Sequence, residues 1–133
     1  MLRKATRQDV PAIIALINKN LETLLPRPED EIMELLDTTW VVEEEDGKIA
    51  GCCSLEVYSP KIAEVRSLAV AESARGKGYG AQLVEAAVEE GKRRNVYQIF
   101  AITSSVDFFK KVNFGPCLNE KYAVFWNGKM KRW

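Results

Sequence analysis

"SARGKGYGAQL", Ser73 to Leu83, sets three glycines at every other position, Gly76, Gly78 and Gly80, with the cations Arg75 and Lys77 among them. The stretch joins an apolar run that reads as a strand to one that reads as a helix. A helix N-terminus carries several unpaired N–H groups and about half a positive charge, so it attracts phosphate wherever backbone can come close. Glycine permits that approach. The alternation lets Lys77 and Tyr79 point outward while successive amides, through Ala81, face one concavity. The local chemistry describes a pyrophosphate cradle; its competitor is an ordinary turn with a glycine-eased helix start. A P-loop requires Gly-Lys-Ser/Thr five residues after its first glycine, which no stretch supplies. Gly76, Gly78 and Ala81 satisfy the letters G-x-G-x-x-A, yet no acid closes the following strand "QIFAIT" to hold a ribose, so a dinucleotide fold is disfavoured.

Before this turn, "KIAEVRSLAV" (61–70) reads as a strand, and after it a helix from Tyr79 to Arg94 buries Leu83, Val84, Ala87 and Val88. Upstream, "TWVVEEEDGKIAGCCSLEVYS" places an Asp46-Gly47 turn between β-rich flanks, the signature of a hairpin. A short strand near Leu2 to Ala5 opens the chain. It is followed by a helical face of Val10, Ile13, Ile14, Ile17 and Leu21, started by Thr6 or Asp9. Pro28 with Glu29, Asp30 and Glu31 starts a second helix carrying Ile32, Leu35 and Leu36. Downstream, "VYQIFAIT" (96–103) suits a central strand, "SSVDFFKKVNF" a capped short helix and "YAVFWNGKM" a final hairpin or edge strand. The resulting order is β, α, α, β, β, β, α, β, α, β, within a single domain over residues 1–133.

Nineteen Lys and Arg balance nineteen Asp and Glu, which leaves no global field to gather nucleic acid or to coat a membrane. No run approaches the roughly 20 apolar residues of a membrane helix, and "MLRKATRQDV" lacks the apolar segment of a signal peptide, so a cytoplasmic location is expected. Cys52, Cys53 and Cys117 lack metal-ligand spacing and read as buried small hydrophobes; no metal is expected. Histidine is absent, which removes Ser-His and Cys-His catalysis. Any acid–base chemistry falls to carboxylates, phenols, lysines or backbone.

Together, "EVRSLAVAESARGKGYGAQLVEAA" and "FFKKVNF" (108–114) resemble the GCN5-related N-acetyltransferase (GNAT) superfamily. Arg75, Gly78 and Gly80 occupy its Gln/Arg-x-x-Gly-x-Gly/Ala acyl-CoA signature. The resemblance implies an α/β (α+β) fold: a mixed sheet of about six to seven strands flanked by about four helices, splayed at its fourth and fifth strands. Acetyl-CoA is the implied co-substrate. Its pantetheine would run along the backbone of Leu68, Ala69 and Val70, and its pyrophosphate would lie on Arg75 to Ala81. A free amine would attack the thioester directly, with the Val70 amide stabilising the carbonyl oxygen. Glu64 is the expected base, although a pair with Arg66 on the same strand face competes for it. At Phe109 many relatives carry a tyrosine that protonates the leaving sulfur; here Tyr79, Tyr97 and Tyr122 are the possible substitutes.

The element spacing most resembles the small, single-domain N-acetylglutamate synthases. That likeness implies a small-molecule amine partner such as glutamate, its carboxylates met by Arg27 and Arg66, with Ser104 or Ser105 where larger relatives carry arginine. A protein amine or a polyamine is the alternative acceptor, and a non-catalytic acyl-CoA sensor the alternative role. The apolar tail "VFWNGKMKRW" suggests a possible homodimer contact.

Overall fold

The computed structural model describes residues 1–115. Strands β1 (Leu2–Lys4), β2 (Thr39–Glu43), β3 (Ile49–Ser59), β4 (Ile62–Val70) and β5 (Gln98–Phe100) lie in the order β1-β2-β3-β4-β5. The first three pairings are antiparallel and β4–β5 is parallel, so the described sheet is mixed. The expected "YAVFWNGKM" strand, the tail contact, Cys117 and Tyr122 lie outside the described residues, and five strands rather than six or seven are described. Four helices flank the sheet: α1 (Val10–Asn18), α2 (Glu29–Glu34), α3 (Tyr79–Arg93) and α4 (Val106–Lys111). None is long and apolar enough to cross a membrane.

Alternation divides the core into two layers. Trp40, Val42, Cys53 and Leu55 face Leu83, Val84 and Ala87 of α3, while Val41 and Cys52 face Val10, Ile13 and Ile17 of α1. Leu83 and Val84 are wholly buried, worth about 1.5–3 kcal/mol each. Helix α1 ends at Asn18, earlier than the periodicity suggested, because Asn20 bends the chain: its Nδ2 donates to the Leu16 carbonyl at 2.7 Å. Leu21 therefore lies past the helix and is 36% exposed. Likewise α2 stops at Glu34, which leaves Ile32 as its buried residue. The hairpin turn is as expected, with Gly47 at φ +84°.

One feature of β4 departs from plain alternation. Ala63 and Val65 face α3, yet so do Leu68 and Val70, while Ala69 faces α1. The phase slips at Ser67, which sits at φ +55°: Cys53 alone spans Ser67 and Leu68 between the pairs Ser54↔Arg66 and Cys52↔Ala69. This is a β-bulge, which bends and re-aims a strand. Glu64 and Arg66 project toward the α1–α2 side by plain alternation with Ala63 and Val65, and the bulge then makes Leu68 and Val70, rather than Ser67 and Ala69, face α3.

Candidate active site

Strand β5 accompanies β4 for three pairs only, Ile62↔Gln98, Ala63↔Ile99 and Glu64↔Phe100, and then leaves it. The run 96–103, read from sequence as a central strand, is thus a three-residue strand that continues as irregular chain. The two strands splay from an apex at Glu64 and Phe100, and a cleft of about 920 Å³ opens beyond it. Its walls come from Glu64, Arg66, Leu68 and Val70 of β4, the chain 101–105, Phe108, Phe109 and Lys111 of α4, the glycine loop, and Glu22 to Leu25 with Arg27 from the α1–α2 connection.

At one end lies the glycine loop, Arg75 to Gly80. Gly76 and Gly78 adopt φ +85° and +81°, a region that costs an L side chain about 1–2 kcal/mol, and nothing stands within 4 Å of where a Cβ would lie on either. Among the described residues no backbone acceptor takes the N–H groups of Gly76 to Ala81; the first amide of α3 that is paired is that of Gln82, to Gly78 O at 3.2 Å. Unpaired donors, open space above them and a 15-residue helix behind them fit an anionic phosphate. Gly80 serves packing instead: a Cβ there would come within 3.3 Å of the Phe108 ring.

The loop's cations part company. Arg75 lines the cleft, steadied by a 3.0 Å hydrogen bond from its guanidinium to Asn20 Oδ1. Lys77, which the resemblance puts within the pyrophosphate stretch, lies off the cleft lining and pairs with Glu44 of the β2–β3 turn at 2.9 Å, while Tyr79 Oη donates to the same carboxylate at 3.1 Å. Lys77 and Tyr79 hold the Glu44 carboxyl below its ordinary pKa, and Glu44 in turn raises that of Lys77. That triangle ties the hairpin to the glycine loop.

Along the wall, Val70 sits opposite Gly51, and Ala71 N–H donates to Ala50 O at 2.8 Å. Such a pattern makes Gly51↔Val70 a non-hydrogen-bonded pair, so the N–H and C=O of Val70 turn away from β3 toward the edge that β5 has vacated. Leu68 and Val70 line the cleft, whereas the Ala69 side chain is buried in the α1 layer.

At the apex, Arg66 is held by three carboxylates. Glu56 Oε1 accepts its Nη1, Glu31 Oε1 lies 3.5 Å from Nη1, and Glu64 Oε1 lies 4.0 Å from Nε. Arg27 reaches Glu31 at 3.3 Å. Burial, then Glu31 and Glu64, raise the Glu56 carboxyl above its ordinary pKa. Tyr58 Oη donates to Glu64 Oε1 at 2.5 Å, and burial followed by that bond raises the phenol's pKa, which keeps its proton in place. The expected Glu64–Arg66 neighbourhood is therefore present, although Arg66 is engaged most closely by Glu56. Ser104 lines the cleft, as do Arg27 and Arg66.

Phe109 is 8% exposed and packs edge-on against Phe108 and Phe114 at 5.1 and 5.2 Å. Of the substitute tyrosines, Tyr79 is committed to Glu44 and Tyr97 is 89% exposed. Cys52 and Cys53 are buried as expected, and desolvation pushes the Cys52 thiol up to about 12. Among the described residues no cluster of His, Cys, Asp or Glu could hold a metal ion. Sequence reading missed Asn20 and Glu44, whose partners are remote in the chain, and Glu31, Glu56 and Tyr58, whose meetings depend on strand register and on the packing of α2.

The acetyltransferase (GNAT) family model matches residues 11–114. The chain belongs to this family. It is 36% identical over 91 residues to an uncharacterized N-acetyltransferase of Chlorobaculum tepidum, covering 68% of this chain and 58% of that protein, less than two thirds of the relative's length. It is 29% identical over 117 residues to an amino-acid acetyltransferase of Mycobacterium tuberculosis, covering 86% of this chain and 67% of that one. Among solved structures it is similar to a Mycobacterium tuberculosis protein in complex with CoA and NLQ, with TM-score 0.79, 29% identity and coverage of 84% and 69% of the two chains. The Neisseria gonorrhoeae N-acetylglutamate synthase, complexed with coenzyme A and N-acetyl-glutamate, shares the fold at TM-score 0.76 and 24% identity, over 84% of this chain and 27% of that one. The fold assigned from sequence holds for the described residues, and it is the fold of this family.

Proposed function

We propose that this domain transfers the acetyl group of acetyl-CoA to the α-amino group of a small amino acid by direct attack on the thioester. The observation that supports this reading most is the Val70 N–H turned into the cleft, on the same wall as the unpaired amides of Gly76 to Ala81. Pyrophosphate on those amides and pantetheine along the free edge of Leu68 to Val70 would bring the thioester carbonyl to the Val70 N–H. That amide then stabilises the oxygen as charge develops on it.

The acceptor amine attacks the carbonyl carbon, its proton passes to Glu64, and the carbon–sulfur bond breaks to release the CoA thiolate. A thiol pKa of about 8.5 makes thiolate a workable leaving group, so water protonation suffices where Phe109 supplies no hydroxyl. Glutamate is the acceptor favoured by the family resemblance, with Arg27 and Arg66 for its carboxylates. A second reading, a polyamine or protein amine, draws on the three carboxylates around Arg66, since Glu31, Glu56 and Glu64 outnumber Arg27 and Arg66.

Thiol release on mixing with acetyl-CoA and a panel of amines tests these readings. Release that depends on an α-amino acid supports the first, and dependence on polyamine or peptide the second. Tight CoA binding with no release under any acceptor contradicts both and identifies a sensor.

A further inference from the structure

Glu64 belongs to the last β4–β5 pair, opposite Phe100, and the ring stacked on Phe100 is that of Tyr58, with centroids 6.3 Å apart and planes at 24°. Tyr58 therefore grips the apex twice, by its ring on β5 and by its hydroxyl on Glu64 Oε1 at 2.5 Å. The position follows from the sheet. Glu56 stands opposite Glu64 in the β3–β4 register, and Tyr58 lies just beyond in the bulge between Val57 and Ser59, where its ring meets Phe100 and its hydroxyl meets Glu64. Arg66 Nε approaches that same Oε1 from β4 at 4.0 Å. The remaining charged groups of the cluster are Glu56 of β3, Glu31 of α2 and Arg27 before it. Among the described residues nothing donates to Glu64 Oε2, and Glu64 lines the cleft.

We propose that Tyr58 is a positioning residue for acetyl transfer: it anchors Glu64 by one carboxylate oxygen and so presents the other to the acceptor ammonium. This rests on the reading of Glu64 as the base. A carboxylate free to rotate loses part of the alignment that makes proton removal efficient. Tyr58 touches neither acyl donor nor acceptor in this scheme; it neighbours Glu56 as well, and acts on the transfer through Glu64.

Tyr58→Phe keeps the ring on Phe100 and removes only the hydroxyl. With the best acceptor of the amine panel, kcat is expected to fall by about tenfold, with the KM for acetyl-CoA and the melting temperature unchanged. Glu64→Gln should fall further, and the double variant no further than Glu64→Gln, because the two act as one unit. Hydroxylamine, uncharged at neutral pH, needs no base; with it both single variants should return to within about twofold of the parent. Equal slowing of Tyr58→Phe with both nucleophiles, or a Tyr58→Phe rate equal to the parent's while Glu64→Gln is slow, overturns the positioning role. An unimpaired Glu64→Gln overturns the base reading itself, and the proposal with it.

Discussion

Gly76 and Gly78 hold N–H groups toward open space with no atom within 4 Å of a would-be Cβ, whereas Glu64, at the apex of the same cleft, is engaged by Tyr58 and Arg66 in a cluster that includes Glu56, Glu31 and Arg27. The first end is backbone from one contiguous loop. The second is side chains from α2, β3 and β4 and the connection before α2. A backbone site is set by conformation and tolerates no new side chain; a side-chain network is set by charge and distributes its load over several partners. Substitutions at the two ends should accordingly fail in different ways.

The sharpest contrast is expected in kinetics. Glu64→Gln should lower kcat by about two to three orders of magnitude while leaving the KM for acetyl-CoA within about twofold, measured by steady-state thiol release. Gly78→Val forces a β-branched residue to φ +81° and fills the cradle; calorimetric CoA affinity should drop by at least about thirtyfold, with turnover at saturating donor far less affected. Gly80→Ala is the control within the same loop. Its Cβ meets Phe108 at 3.3 Å, so it should cost a few degrees of melting temperature and less affinity than the change at Gly78.

Smaller effects follow from the cations. Arg75→Ala should weaken CoA by about tenfold, the order of a charge-assisted hydrogen bond, and Asn20→Ala by about threefold. Since Asn20 steadies Arg75, its substitution should add little in the Arg75→Ala background, a cycle that calorimetry can close. The least effect on the cleft belongs to Glu90, on the far part of α3. Arg93, and then Arg94 and Lys4, hold its carboxyl at about 2, against the opposing effect of burial. Because the folded value lies below the ordinary 4.5, the stabilisation is complete above that pH and disappears as pH falls toward about 2. Glu90→Gln should lower the melting temperature by a few degrees at pH 7 and converge with the parent near pH 2, with kinetics unchanged.

The same contrast explains what could be read in advance. Glycines impose conformations that are written locally, so the turn at Gly76 to Gly80, α3 and the hairpin at Gly47 were legible from spacing alone. The family motif carried the splay, but the bulge in β4 was hidden: Ser67 at φ +55° breaks the strand's alternation, and no propensity rule places a serine there. Alternation put Glu64 and Arg66 on one face correctly. It could not show that Glu31 and Glu56 reach Arg66, or that Tyr58 reaches Glu64, because those meetings depend on register and on the packing of α2. The pairing of Lys77 was illegible for a like reason, its partner Glu44 lying 33 residues away.

A crystal structure of the protein with acetyl-CoA bears most directly on the central claim that this cleft holds the acyl donor. The account predicts pyrophosphate oxygens about 3 Å from N–H groups between Gly76 and Ala81 and the thioester carbonyl at the Val70 N–H. A donor bound outside the β4–β5 opening, or inside it with its phosphates away from the glycine loop, would contradict it.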